Sequence, residues 1–365
     1  MKFIDVCSGI GGFRSALENN GHECLAFAEI DKYAKQSYRA IYDTEGEDEL
    51  DDITAITDEH FRLYRGQCDI ITGGFPCQAF SIAGNRRGFD DTRGTIFFHI
   101  ARAIKEIQPS YVLLENVKGL FSHDKGRTFG TIIQALDELG YVTEWGLFNS
   151  KYWGVPQNRE RVYILVTRKD KFKGPVLFDL LKQQTEVTTR LIDVLEDEVD
   201  EKYYLSDEKT KKLTLDTNLG GKLNMYDYNE RDKIHSVNKV SPTLNTMQGG
   251  DRQPKIAVRE ATKQGYAIAE QGDSVNVSYP TSKTRRGRVG KQVAQTLQAG
   301  EVNQGVVMND IRIRKLSPLE CWRLQGFTDE QFYKAKDSGV SNSQLYKQAG
   351  NSVTVNVVDA IVKCL

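Results

Sequence analysis

A chain of 365 residues exceeds the length at which one hydrophobic core usually stops growing, so the sequence predicts one large and one small domain. Hydrophobic residues make up 39% of the chain and charged residues 27%, and no stretch approaches the roughly 18 apolar residues of a membrane span. A net charge of −1 gives no overall case for nucleic-acid binding, although charge can still be segregated on one face.

The amino terminus and the cysteines indicate the setting. The opening MKFIDVCSGIGG lacks the charged, apolar and cleavage regions of a secretory signal, so we expect a cytoplasmic protein. The cysteines contain no CxxC pair and no cysteine–histidine cluster of zinc spacing, so we expect free thiols and no metal site. They are Cys7, Cys24, Cys68, Cys77, Cys321 and Cys364.

The first half of the chain alternates short apolar runs with amphipathic stretches. This alternation predicts a parallel sheet with crossover helices, that is, a doubly wound α/β domain over residues 1–168. The carboxyl ends of such strands open on a ligand crevice. The predicted strands are 2–6, 24–29, 68–73, 111–117, 141–148 and 161–167, and the predicted helices are 13–20, 32–42, 97–107 and 128–139.

The first predicted strand leads into a glycine-rich turn, DVCSGIGGF, that opens a helix. The glycines permit close approach of a ligand to the backbone. Glu29, at the end of the second strand, is placed to accept hydrogen bonds from ribose hydroxyls. An adenosine-bearing cofactor is expected, either a dinucleotide or S-adenosylmethionine. Its candidate contacts are Cys7, Ser8, Gly9, Gly11, Gly12, Glu29, Ile30, Asp52 and Ile53.

Three further strand ends carry candidate catalytic groups. Cys77 lies in GGFPCQAFS, where Pro76 fixes its own backbone angle and so constrains the direction of the thiol. Glu115 ends the strand 111–117, and partial burial there raises a carboxyl pKa. The segment QNRER offers Arg159 and Arg161, which can bind carbonyl or carboxylate oxygens. Taken alone, Cys77 could be a buried inert thiol, and QNRER could be a solvated basic turn. The convergence of these groups with Glu115 at one sheet edge favours a catalytic crevice.

Residues 169–310 have a different composition, with many polar residues, scattered glycines and short alternating strands, and they predict a second domain. Their basic run KTRRGR, residues 283–288, is either a solvated loop or a phosphate-contacting patch. Two similar units, at Thr243-Leu244 and at Thr296-Leu297, favour a duplicated hairpin-like element.

Helical signals return near the carboxyl terminus. Ser317, Pro318 and Glu320 form a capping-box pattern. We expect residues 311–365 to return to the first domain and to end in a helix packed on its sheet.

A series of segments, in this order and over nearly the whole chain, resembles the C5-cytosine DNA methyltransferase family. The resemblance implies a Rossmann-like methyltransferase sheet, S-adenosylmethionine as cofactor and a smaller target-recognition domain. At the position of Cys7 the family more often has an aromatic residue, so that contact is altered. The segments are DVCSGIGGF, Glu29 after the second strand, DDI with Asp52, GGFPCQAFS, DTRGTIFF, LLENVKGL, YWGVPQNRERVYI, RIRKLSPLECWRLQGF and AGNSVTVNV.

The resemblance also implies a mechanism. The Cys77 thiolate adds to C6 of a cytosine flipped out of the duplex, while Glu115 supports protonation at N3 and Arg161 holds the carbonyl O2. C5 then takes the sulfonium methyl group, and loss of the C5 proton and of the cysteine releases 5-methylcytosine. A free thiol is only a few per cent ionised at pH 7, so neighbouring arginines, among them Arg159, should favour the thiolate.

The remaining site residues follow from the same resemblance. Gly74, Pro76, Asn351, Ser352 and Val353 are expected at the cofactor. Residues 78–94 resemble the family's mobile catalytic loop, which closes over DNA. Thr296-Leu297 matches the usual Thr-Leu position, and Thr243-Leu244 is a departure. The expected DNA contacts are Ser81, Arg86, Arg87, Arg93, Arg285, Arg286, Arg288, Thr296 and Leu297.

We expect double-stranded DNA as the partner of a cytoplasmic, bacterial or phage-encoded monomer that needs no membrane and no metal and belongs to a restriction-modification or phage protection system. A tRNA cytosine methyltransferase of the same family is the first alternative. A nicotinamide-dependent dehydrogenase would leave Cys77, Glu115 and Arg161 unexplained, and their presence also counts against a catalytically silent DNA-binding protein. An amino-group methyltransferase would need an Asp/Asn/Ser-Pro-Pro-aromatic block, which the sequence lacks.

Overall fold

The chain is described here by a computed structural model. The structure describes residues 1–76, 95–184, 187–214, 255–300, 302–308 and 312–365. No helix within these ranges is long and apolar enough to cross a membrane. The predicted site residues that lie outside them are Cys77, Ser81, Arg86, Arg87 and Arg93, and the Thr243-Leu244 unit lies outside them too.

Seven strands form one large sheet, which confirms the predicted α/β fold. The first eight strands of the described chain are β1 (Lys2–Val6), β2 (Glu23–Ala28), β3 (Asp48–Glu49), β4 (Ile70–Gly74), β5 (Tyr111–Val117), β6 (Tyr141–Asn149), β7 (Gln157–Asn158) and β8 (Glu160–Arg168). The sheet order is β3-β2-β1-β4-β5-β8-β6. Strand β8 runs antiparallel to both neighbours, which departs from the predicted parallel arrangement. The reason is that no crossover helix joins β6 to β8.

Helices cover both faces of this sheet, so its strands are buried on both sides. Alternate residues of β1 enter different hydrophobic cores. Phe3 packs in the core that contains Leu17 and Val358, and Ile4 packs in the core that contains Ile100 and Ile132. The helices of this half are α1 (Gly12–Asn19), α2 (Lys32–Ile41), α3 (Asp58–Arg62), α4 (Ile96–Ile107) and α5 (Arg127–Glu138).

A smaller unit follows, with a hydrophobic core of its own that includes Val258, Val275 and Ile313. The strands that follow β8 are β9 (Lys255–Arg259), β10 (Tyr266–Glu270), β11 (Ser274–Asn276), β12 (Val289–Gly290), β13 (Ala294–Gln295), β14 (Gln304–Val307) and β15 (Ile313–Lys315), and two short helices, α6 (Leu177–Leu181) and α7 (Asp207–Leu213), precede them. Strands β9 and β10 form an antiparallel pair, and a four-stranded sheet has the order β12-β11-β14-β15.

Packing does not follow the composition change at either predicted boundary. Leu177 and Leu180 of α6 belong to the core of the large sheet, although they follow residue 168. Strand β15 pairs with β14 of the small sheet, although it follows residue 310. The domain limits 1–168, 169–310 and 311–365 therefore stay a prediction.

The last helices return to the large sheet. They are α8 (Pro318–Arg323), α9 (Asp329–Asp337), α10 (Asn342–Asn351) and α11 (Val355–Val362). The Ser317 side chain accepts from the Glu320 backbone N–H, and the Glu320 side chain accepts from the Ser317 N–H, which is the predicted capping box. Helix α11 packs against α1 and thereby brings the segment 350–353 beside the glycine-rich turn.

Candidate active site

The glycine-rich turn after β1 adopts a conformation that requires its glycines. Gly9 and Gly11 have positive φ angles of 57° and 80°. A Cβ atom on Gly12 would lie 2.6 Å from Val353 Cγ2, so only glycine lets the start of α1 approach the segment that follows α10. The turn therefore meets the carboxyl-terminal part of the chain at the end of β1.

Glu29 is fixed beside this turn. Its Oε2 accepts a hydrogen bond from the Gly9 N–H and its Oε1 accepts one from the Asp31 N–H, both at 2.8 Å. Each carboxylate oxygen keeps a second lone pair for another donor. The Glu29 side chain is thus held in place with hydrogen-bonding capacity to spare.

A cavity of about 460 Å³ opens at the carboxyl ends of β1, β2, β4 and β5. Its volume lies in the usual range for small-molecule sites. It brings together most of the described cofactor and catalytic candidates. Those that line it are Cys7, Ser8, Gly9, Gly12, Glu29, Gly74, Pro76, Glu115, Arg159, Arg161, Asn351, Ser352 and Val353.

Four cofactor candidates do not line this cavity. Gly11 lies against the ring of Tyr42. Ile30 is 74% exposed to solvent, and the Ile53 side chain is buried in a hydrophobic core. Asp52 accepts a hydrogen bond from the Thr54 N–H at 2.8 Å.

Glu115 and Arg161 form an ion pair in the cavity wall. Arg161 Nε lies 3.0 Å from Glu115 Oε1, and both side chains are largely buried. Burial raises the pKa of Glu115 above its usual value, and the positive charges of Arg161 and Arg159 oppose that rise. The carboxyl group can therefore hold a proton at a higher pH than an exposed glutamate.

Arg159 contacts the cofactor-side segment. Its Nη2 donates to the carbonyls of Gly350 and Ser352 at 3.2 and 2.7 Å. Burial lowers the pKa of Arg159 to about 10. Its Nε and Nη1 atoms, together with Ser8 Oγ and Gln344 Oε1, are buried in the cavity wall without a hydrogen-bond partner among the described residues. Buried polar atoms usually have partners, so these atoms favour a polar ligand in the cavity.

The described DNA candidates fall into two groups. Arg285 and Arg286 lie at the surface. In contrast, Arg288 is buried, and its guanidinium donates to the carbonyls of Asn276, Ser278 and Tyr279. This arginine therefore holds a loop in place and does not present its charge to a partner.

The Thr296-Leu297 unit forms part of a joint between the small unit and the large one. Strand β13, just before it, pairs with β7, and Thr296 Oγ1 donates to the Asn158 carbonyl at 3.0 Å. Leu297 is buried in the main core. The unit thus connects the small unit to the strand that leads into Arg159 and Arg161.

A model of the family described as C-5 cytosine-specific DNA methylase matches residues 1–365. The chain belongs to this family. The methylase is 37% identical to the orphan methyltransferase M.SPRI of Bacillus phage SPR, over 100% of the chain and 97% of the relative. It is 32% identical to the type II methyltransferase M.BanI of Aneurinibacillus aneurinilyticus, over 100% and 95%. This family places the chain among enzymes that methylate cytosine in DNA, and it excludes the dehydrogenase alternative.

Solved structures show the same fold. The S. pombe Dnmt2 methyltransferase superposes on the methylase with a TM-score of 0.63 at 20% identity, covering 99% of this chain and 97% of that one. A putative DNA modification methyltransferase encoded within an E. coli prophage gives a TM-score of 0.55 at 19% identity, covering 100% and 98%.

Sequence reasoning missed one wall of the methylase cavity. Asp31, Gln344 and Lys347 line it, and Lys347 Nζ lies 2.6 Å from Asp31 Oδ2. Asp31 could be recognised as a helix cap, because its side chain accepts from two N–H groups at the start of α2. Nothing local signals its pairing with a lysine more than 300 residues later.

Cys7 is the one described cysteine in the cavity wall. Burial raises its pKa to about 12, and the carboxylates of Glu29, Asp5 and Asp52 contribute to the rise. Cys7 therefore stays a neutral thiol at pH 7 and is unsuited to act as a nucleophile.

Proposed function

We propose that the methylase transfers a methyl group from S-adenosylmethionine to C5 of a flipped-out cytosine in a specific sequence of duplex DNA. The observation that carries the proposal is the meeting, in one cavity, of a glycine-rich turn with Glu29 and a buried Glu115–Arg161 pair. The first group suits an adenosine and the second suits a base whose ring must gain and lose protons.

The residues of the cavity fit this donor. Glu29 has lone pairs free for ribose hydroxyls, and the turn at Gly9 supplies close backbone approach. The unpartnered Ser8 Oγ and Gln344 Oε1 can meet the polar amino-acid end, together with Asn351 and its neighbours. When bound, S-adenosylmethionine supplies an electrophilic methyl group on a positively charged sulfur.

We assign the nucleophile to Cys77. Pro76, the residue before it, lines the cavity, and Cys7 is held as a neutral thiol. In the proposed sequence of bonds, the Cys77 sulfur adds to C6 of cytosine and makes C5 nucleophilic. Methylation of C5 would break the bond between the methyl group and the donor sulfur and leave S-adenosylhomocysteine. C5 would then lose its proton to a base, and the S–C6 bond would break to restore the aromatic ring and the Cys77 thiolate.

Glu115 and Arg161 would bind the base. The raised pKa of Glu115 keeps a proton available for N3 as sulfur adds to C6. Arg161, partly held by the ion pair, can donate to the carbonyl O2, where negative charge grows. Arg159 is a positioning residue in this proposal, because its described contacts are to the Gly350 and Ser352 carbonyls.

We propose that residues 169–310 contain the target-recognition domain and that Arg285, Arg286 and the segment 78–94 with Ser81, Arg86, Arg87 and Arg93 contact DNA. The enzyme would act as a monomer, without a metal, on DNA in the cytoplasm of a bacterial cell. The phage and type II relatives favour a role in modification that protects DNA from cleavage.

The test is transfer of a radiolabelled methyl group from S-adenosylmethionine to duplex DNA and, in parallel, to tRNA. We expect label in the duplex, as 5-methylcytosine, and none in tRNA. Label in tRNA alone would overturn the assignment of the substrate, and label in neither would overturn the function. Glu115→Gln should lower turnover on DNA, whereas the exposed Glu138→Gln should not.

A further inference from the structure

An open cleft of about 570 Å³ lies in the smaller unit. It shares no lining residue with the cavity beside the large sheet. Its lining contains four cationic side chains, and we name these residues the basic cleft. They come from α7, from the end of β9 and from the turn before β12, so the fold gathers charges that are far apart in the sequence. The four residues are Lys211, Lys212, Arg259 and Lys283.

The basic cleft has little negative charge of its own. Glu260 lines it, but its carboxylate accepts hydrogen bonds from the backbone N–H groups of Gly287, Arg288 and Val289. Lys212 pairs with Glu208 at the surface, whereas Lys211 and Lys283 form no ion pair with any residue that the structure describes. Like charges in one cleft repel each other, so a bound anion would stabilise this arrangement.

Two arginines, the half-buried Arg285 and the exposed Arg286, extend the positive surface along one rim. The Ala261 N–H donates to the Arg285 carbonyl at 2.8 Å, and Arg286 Nε donates to the Ala261 carbonyl at 3.0 Å. Because Ala261 lines the cleft, these bonds hold the run 285–286 at its edge. In a chain with a net charge of −1, this is a marked local excess of positive charge.

An exposed aromatic ring stands next to the same rim. Tyr279 is 66% exposed and has a positive φ of 48°, a costly conformation for a bulky residue. The buried Arg288 holds it there by donating to the Tyr279 carbonyl at 2.7 Å. The Arg285 guanidinium lies 6.0 Å from the Tyr279 ring. A tyrosine hydroxyl and the arginine beside it can both donate hydrogen bonds to phosphate oxygens of DNA.

We propose that the basic cleft, with Arg285 and Arg286 at its rim, binds backbone phosphates of duplex DNA outside the reacting nucleotide. A single small anion would engage only part of this surface, whereas the phosphates of a strand repeat along it. This inference rests on the proposed function, since that function makes duplex DNA the substrate.

The experiment measures the affinity for a random-sequence duplex by fluorescence anisotropy as a function of salt concentration. Each phosphate contact to B-DNA contributes about 0.9 to the slope of log K against log salt concentration. Lys211→Gln/Lys212→Gln/Lys283→Gln should therefore reduce the magnitude of the slope by about 2 to 3 and leave kcat at saturating DNA unchanged. The control, Lys171→Gln/Lys173→Gln/Lys336→Gln, makes the same change in net charge at exposed lysines elsewhere and should keep the slope.

An unchanged slope in the cleft variant would overturn the proposal, and so would an equal loss in the control variant, which would show an effect of net charge alone. Reduced binding of tRNA with unchanged binding of duplex DNA would also overturn it. Because the methyl-transfer assay is separate, active enzyme with an unchanged slope refutes the cleft and leaves the proposed function standing.

Discussion

Gly350, in the wall of the cavity, packs closely against the segment 298–299. A Cβ atom at this position would lie 2.6 Å from the backbone N of Ala299 and 2.7 Å from the backbone C of Gln298. Ordinary contacts begin near 3.4 Å, so Gly350→Ala must separate the two segments by about 0.8 Å. Backbone atoms cannot rotate aside as a side chain can. We expect a cost of about 1 to 3 kcal/mol in the free energy of unfolding.

The same substitution should also affect the donor site. The Gly350 carbonyl accepts from Arg159, and Gly350 itself lines the cavity. If the substitution makes the binding of S-adenosylmethionine less favourable by about 1.4 kcal/mol, the Kd rises about tenfold. The assays are urea unfolding and isothermal titration of the donor, both against wild type.

Helix propensity alone predicts the opposite sign, because Gly350 lies in α10 and alanine is favoured over glycine in helices by about 1 kcal/mol. The control is Gly130→Ala in α5, where a Cβ atom meets nothing within 4 Å, and this variant should be more stable than wild type. If Gly350→Ala is stabilised like this control and binds the donor as wild type does, the close contact with residues 298 and 299 does not limit stability or donor binding.

Three further predictions follow from buried charges. Burial raises the pKa of Asp5 from its usual 3.8 to about 8, so between these pH values the folded state holds a proton that the unfolded state has lost. The free energy of unfolding should therefore fall as the pH rises from about 4 to 8. In urea melts at graded pH, Asp5→Asn should lack this fall. Arg288→Met should lower the free energy of unfolding by about 3 kcal/mol or more, because three backbone carbonyls lose their donor. Arg285→Met should leave the free energy of unfolding unchanged. Equal stabilities of the two variants would contradict a structural role for Arg288. Arg161→Gln removes the nearest positive charge from Glu115, so the pKa of Glu115 should rise further and the pH profile of kcat/KM should move to higher pH; an unmoved profile would refute the coupling.

Local chemistry is the part of this protein that the sequence predicts well. The capping box at Ser317 and Glu320 depends on residues three apart, and the structure has it. The turn after β1 follows from its glycines, whose positive φ angles other residues rarely adopt. The sequence also predicts that Glu29 and Glu115 meet in one cavity, as they do, because both lie near the carboxyl ends of strands and these ends face one crevice in a doubly wound sheet.

Features that depend on distant partners could not be predicted in this way. The run KTRRGR does not reveal that Arg288 is buried while Arg286 is exposed, because the carbonyls that hold Arg288 lie outside the run, at the end of β11 and at the start of the connection between β11 and β12. The Asp31–Lys347 ion pair joins opposite ends of the chain. Composition likewise does not reveal that a largely polar segment contributes a leucine such as Leu177 to the main core, because that contact depends on tertiary packing.

We propose that Cys77 is the nucleophile through which C5 of cytosine in DNA is methylated. Bisulfite sequencing, with nucleoside mass spectrometry, of duplex DNA incubated with S-adenosylmethionine and enzyme tests this role. We predict 5-methylcytosine at one sequence for the wild type and for Cys364→Ala, in which the cysteine lost is exposed. We predict no methylation for Cys77→Ala, with donor affinity retained. Full methylation by Cys77→Ala would exclude Cys77 as the nucleophile, and a methyl group on the amino nitrogen of cytosine would exclude C5 as the acceptor.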